Sequence, residues 1–135
     1  MPLDALEFAT RFFHSQDRRK AGPDPLLCTA DYRVTIADGP TMDHAGHDAF
    51  GHAFYGGFPD MSHTIETAVG TDETVAVRFR LRATHQGPFL GVAATGKNIS
   101  VVAHAFLALR GGQVSEVRGV FDEAGLLRQI GAIRS

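Results

Sequence analysis

The chain has 135 residues, 44% of them hydrophobic, with 13 basic and 15 acidic side chains and a formal net charge of −2. That is one domain's worth of chain, 1–135, and its 10 phenylalanines can build a core without a structural metal or disulfide. A single cysteine, Cys28, excludes an intrachain disulfide, and the balanced charge leaves no footprint for a nucleic acid.

Residues 3–13 space Leu3, Leu6, Phe8, Ala9, Phe12 and Phe13 by threes and fours, the period of a helix with one buried stripe, and Ala21-Gly22-Pro23 stops it. Asp4 and Glu7 stand where a signal peptide would be basic. No stretch approaches about 18 apolar residues, so the expectation is a cytoplasmic protein with no membrane segment. Asp24-Pro25 reads as an N-cap and first helical position, which predicts a short helix over 26–30. Alternation predicts a strand over 32–36, closed by the turn Asp38-Gly39-Pro40, and residues 43–55 return to helical texture before Gly56-Gly57.

Long strands follow. Met61, His63, Ile65, Thr67 and Val69 share one parity; Val75, Val77, Phe79, Leu81, Ala83 and His85 share another, opposite Arg78, Arg80 and Arg82. A Gly- and Pro-rich link over 86–97 leads to strands over 99–109 and 114–121, and 122–130 reads as a terminal helix. The pattern predicts an α+β fold: three N-terminal helices packed on a curved antiparallel sheet, with a pocket between them as the default ligand site.

No nucleophile elbow, phosphate loop, zinc-protease pattern or dinucleotide fingerprint is present, so any chemistry falls to isolated polar residues. His85 ends a strand face that is otherwise apolar, which makes it either a core histidine or a pocket group. His104 sits between two apolar faces. Asp122 shares parity with Val114, Glu116, Arg118 and Val120, so it either looks into the cavity with them or caps the terminal helix. His44, His47, Asp48 and His52 crowd one helix without a matching ligand elsewhere, and neither a metal nor an organic cofactor is expected.

Several longer motifs are more specific. Phe58-Pro59-Asp60, Thr84-His85-Gln86-Gly87-Pro88-Phe89-Leu90-Gly91, Ala94-Thr95-Gly96-Lys97 and the run from Val120-Phe121-Asp122-Glu123 to Gln129-Ile130-Gly131 occur in order. Together they resemble the SnoaL-like polyketide cyclases, or ester cyclases. The resemblance implies an NTF2-like cone and an intramolecular aldol condensation that needs no cofactor. It also implies a pocket aspartate as general acid and base, matched by Asp122, with His104 or His85 assisting. On this basis Arg118, Glu116, His63, Phe58 and Phe89 are expected to contact an apolar, oxygenated small molecule, and a homodimer is expected through the sheet face. The alternative is a ligand-binding or accessory protein without catalysis. The chain departs from the pattern at Glu116-Val117-Arg118, where family members often carry His-Trp, and a cation on the cavity face would favour an anionic ligand.

Overall fold

A computed structural model describes residues 3–134. Helix α1 spans Ala5–Arg19; the Asp4 carboxylate caps it by accepting the Glu7 N–H, and its stripe buries Phe8, Ala9, Phe12, Phe13 and Gln16. Asp24 caps only a single 3-10 turn, Pro25–Leu27, and strand β1 (Cys28–Ile36) begins immediately after it. The helix expected over 26–30 is therefore mostly strand. Helix α2 (His44–Gly57) is capped by Asp43 and turns His47, Phe50, Gly51, Phe54 and Tyr55 to one side, the i, i+3, i+4, i+7, i+8 pattern of a single face. Gly51 is where α2 crosses the loop after α1: a Cβ there would sit 2.5 Å from the Ala21 carbonyl carbon.

Strands β2 (Ser62–Gly70), β3 (Thr74–Thr84), β4 (Asn98–Arg110) and β5 (Gln113–Phe121) form the meander, and α3 (Glu123–Gln129) follows. The β4–β5 turn places Gly111 and Gly112 at φ of 61° and 80°, the backbone that a two-residue hairpin demands. Sheet order is β1-β5-β4-β3-β2. The meander is antiparallel as expected, and β1 adds a fifth strand parallel to β5, which makes the sheet mixed. Among the described residues the helical elements comprise two helices and a turn before the meander, plus one helix after it.

β3 has the expected register, with Val75, Val77, Phe79, Leu81 and Ala83 buried and Arg78, Arg80 and Arg82 on the outer face. β2 keeps its expected parity only to Ile65. A bulge at Glu66 then reverses it, which sends Thr67 and Val69 outward and turns Ala68 toward the core. A second bulge, at Ser115, does the same in β5: Val114 is buried, and the next buried position is Val117. Among the described residues no helix is long and apolar enough to cross a membrane.

Candidate functional site

Between α1, α2 and the concave face of the sheet lies a cavity whose walls are mostly apolar, including Phe13, Phe50, Phe54, Phe79, Leu81, Val117 and Phe121. Its volume is about 90 Å³. Three rings, Phe54, Phe58 and Phe89, pack with centroids 5.0–5.6 Å apart. Only Phe54 of the three reaches the cavity wall; Phe58 and Phe89 support it from behind.

Polar groups in this wall are few, and two histidines among them are each held by one nitrogen. His63, on β2, stacks against Phe13 at 5.2 Å, and its Nδ1 lies 2.6 Å from Asp17 Oδ1. Asp17 is presented by α1 four residues after Phe13, on the same face of the helix. Its carboxylate also accepts the Tyr55 hydroxyl at 2.6 Å and the His63 backbone N–H at 2.9 Å. Burial alone would raise the Asp17 carboxyl, but these hydrogen bonds and the His63 ring together hold it below the ordinary carboxylate range. Burial and then the adjacent Asp17 carboxylate push the Tyr55 phenol up, so it remains a donor. An ionised Asp17 can only accept, which fixes the proton of a neutral His63 on Nδ1. Nε2 is left as an unprotonated acceptor, with no hydrogen bond among the described residues.

His47 enters the wall from α2, and its Nδ1 is 2.9 Å from the Tyr32 hydroxyl of β1. Burial, then the nearby His44, pushes the imidazole down to about 4, and burial pushes the Tyr32 phenol well above its usual range. The Gln16 side chain completes the polar lining and makes no hydrogen bond to a described residue. The other members of the helical histidine cluster go elsewhere. His44 contacts the Pro23 carbonyl at 2.7 Å and Asp48 at 3.6 Å, and His52 is exposed. Among the described residues no three His, Cys, Asp or Glu side chains converge as metal ligands.

Of the residues expected from sequence, His63 alone puts its side chain into this wall. The Ser115 bulge places Glu116, Arg118, Val120 and Asp122 off the cavity parity and gives the cavity Val117, Gly119 and Phe121. Arg118 is exposed on the outer face, so it puts no cation in the cavity, and Glu116 lies 4.0 Å from Arg33. Asp122 is exposed; its Oδ1 accepts the Gly125 N–H at 2.8 Å, the capping alternative of the sequence analysis. His104 reaches the cavity through its main chain while its ring bonds Arg78 at 3.1 Å on the outer face. His85 is fully buried and stacked on Phe58. Its Nδ1 accepts the Thr95 N–H at 3.2 Å, and Nε2 has no partner among the described residues.

Two motif residues also prove to hold the frame together. The Asp60 carboxylate accepts both the N–H and the hydroxyl of Thr84, and the Gln129 amide bonds both backbone groups of Ser100 on β4. The SnoaL-like polyketide cyclase family model matches residues 4–130. The chain belongs to this family. No curated protein matches. Solved structures similar to this SnoaL-like chain include AclR, a candidate hydroxylase from Streptomyces galilaeus, with 22% identity, 96% of this chain and 82% of that one covered, and a TM-score of 0.83. A candidate SnoaL-like polyketide cyclase from Jannaschia sp. CCS1 has 24% identity, coverage of 95% and 92%, and a TM-score of 0.79. IdmH, a candidate polyketide cyclase from Streptomyces antibioticus, has 23% identity, coverage of 93% and 97%, and a TM-score of 0.81. At these identities the likeness shows the fold.

Proposed function

We propose that this SnoaL-like protein binds an apolar, oxygenated small molecule in the cavity and catalyses proton transfer at a carbon next to a carbonyl group, as in an intramolecular aldol closure. The observation that carries this reading is His63, whose Nδ1 is held 2.6 Å from Asp17 while Nε2 is left free at the cavity wall. His63 Nε2 takes the carbon-bound proton; the C–H electron pair becomes the enolate; the enolate carbon attacks a second carbonyl carbon of the same molecule. The new alkoxide recovers the proton from the imidazolium. The ring closure is an isomerisation that consumes no oxidant, reductant or second substrate. Asp17 stabilises the imidazolium and orients the ring, and the apolar walls exclude water from the enolate. The acid-base role that the resemblance implies for Asp122 passes in this proposal to His63, because the Asp122 carboxylate is exposed and used as a cap.

We also propose that the outer sheet face pairs two copies of the chain, because Phe106 and Val120 are 59% and 50% exposed there on adjacent strands. Light scattering that gives a dimer mass supports this, and a monomer mass at micromolar concentration opposes it.

The cavity reading is tested with 2-indanone, a small enolisable ketone, in deuterated buffer, with loss of its benzylic proton signals followed by NMR. Gly119 lines the cavity, and a Cβ there meets nothing closer than 3.4 Å, so Gly119→Leu fills the space from a tolerant position. The protein should bind the ketone and accelerate exchange, and the variant should lose both. Exchange that survives in Gly119→Leu would place the chemistry outside the cavity, and binding without exchange would favour the ligand-binding alternative.

A further inference from the structure

His47 and His63 differ in which nitrogen is engaged and by what. His63 Nδ1 faces a carboxylate, which can only accept. His47 Nδ1 faces a hydroxyl, which can donate or accept, and the surroundings decide which. Tyr32 is buried, and His47 Nδ1 is the only described hydrogen-bond partner of its hydroxyl. If Nδ1 carried the proton, the phenol would accept it, and its own O–H would be buried without an acceptor. If the phenol donates, its proton is satisfied and the one unpartnered donor becomes the Nε2–H of a side chain that lines the cavity, where a ligand can accept it, a cheaper arrangement than an O–H sealed in the core. The phenol therefore donates, Nδ1 accepts, and the proton of a neutral His47 sits on Nε2. That nitrogen makes no hydrogen bond to a described residue, on a side chain that lines the cavity. Burial first, then His44, disfavours charging this ring and outweighs the Asp48 carboxylate that favours it, and a charged His63 adds to the opposition, so the ring stays a neutral donor when His63 takes up a proton.

The two rings thus present opposite faces of the same chemistry to one apolar space: an acceptor nitrogen on His63 and an N–H on His47. We infer that His47 holds the carbonyl oxygen of the ligand, donating from Nε2 to the oxygen on which negative charge develops as His63 removes the adjacent proton. The ligand class that satisfies both rings is an enolisable ketone or ester. As the proton leaves carbon, the C–H pair forms the new C=C bond and the carbonyl π pair moves to oxygen, where the His47 N–H meets it. A neutral donor suits this role because it stabilises the enolate without surrendering its proton to it. This inference rests on the proposed function, since it assigns the oxygen end of the same substrate.

The test compares 2-indanone with indane, its hydrocarbon counterpart, on the full chain. The ratio of their dissociation constants reports the carbonyl contact, and comparing that ratio between variants cancels the difference in their hydration. Removing one buried donor should cut the ketone preference roughly tenfold in His47→Phe, while indane binding persists. His47→Gln, which keeps an amide N–H, should restore most of it. Nitrogen-15 spectra of the unliganded wild type provide an independent check that needs no variant: His47 should carry its proton on Nε2 and His63 on Nδ1. Tyr32→Phe, which removes the hydroxyl that fixes the His47 tautomer, should shift His47 toward a mixture of both forms. An unchanged ketone preference in His47→Phe, or a proton on His47 Nδ1 in the wild type, overturns the inference and leaves His63 as base untouched. Failure of the wild type to bind either compound overturns it together with the cavity reading. Loss of exchange in His63→Gln with the His47-dependent preference intact supports both assignments separately.

Discussion

The two faces of the sheet carry the same kinds of side chain and put them to different uses. On the outer face, Arg78 meets Glu66 at 3.0 Å and His104 at 3.1 Å, and Arg80 lies 3.6 Å from Glu66, all at the edge of solvent. On the concave side, His63 of the sheet and His47 of the helix α2 that covers it both line the cavity, each anchored at Nδ1, by Asp17 or Tyr32, and with no hydrogen bond from Nε2 to a described residue. Water screens the outer pairs and makes them interchangeable. The inner pairs sit where charge is costly, so a single hydrogen bond there decides a tautomer and with it whether a ring accepts or donates.

The contrast breaks first at Asp17. Asp17→Asn presents an amide to His63 Nδ1, and an amide N–H there drives the proton to Nε2, the nitrogen that must be free to act as base. Exchange of 2-indanone should fall by about 10²–10⁴-fold with the fold retained in circular dichroism. A loss below about threefold would show that the inner face is as interchangeable as the outer one.

Next in size is a pH effect on stability. His47 charges at about 4 in the folded chain, against an ordinary 6.5. As pH falls below about 6.5 the unfolded state takes the proton first, so stability present above that pH is lost progressively down to about 4. The loss should be on the order of 2–3 kcal/mol by urea denaturation, and His47→Gln should be flatter over the same window. Asp17, held below its usual range, adds a second loss that begins only as pH falls below about 4. A wild-type curve no steeper than that of His47→Gln between pH 6.5 and 4 would contradict the neutral buried ring.

Smaller effects belong to the groups turned away from the cavity. Asp122→Ala should cost about 1 kcal/mol through loss of the α3 cap, and Asp122→Asn only a few tenths. Arg78→Ala should change stability by under about 1 kcal/mol, an effect that fades with added salt. A larger, salt-insensitive cost would mean that the outer network is as tightly held as the inner one.

Periodicity in the sequence located α1, α2, the meander strands and the register of β3, and the motifs from Phe58 to Gly131 pointed to the family. Two features were illegible for a physical reason. A bulge adds one residue without changing composition or hydrophobicity, so nothing in Ser115-Glu116 announces that Arg118 and Asp122 turn outward, nor in Glu66 that Val69 does. The anchored histidines were hidden by distance: Asp17 and His63 are 46 residues apart, and Tyr32 meets His47 across 15. A carboxylate near the end of an amphipathic helix looks like any solvated residue. The one available signal was that Asp17 follows Phe13 by four positions and so shares its inward face. The same motif that suggested a catalytic aspartate carries a cap at Asp122 and a clamp on β4 at Gln129.

The most direct test sets the two faces against each other in a single assay: deuterium exchange of 2-indanone by wild type, His63→Gln and Asp122→Asn at equal folded concentration. If the chemistry belongs to the concave face, His63→Gln loses about 10²–10⁴-fold and Asp122→Asn stays within about twofold of wild type. A collapse in Asp122→Asn with His63→Gln unaffected would return the proton transfer to the aspartate and contradict the assignment.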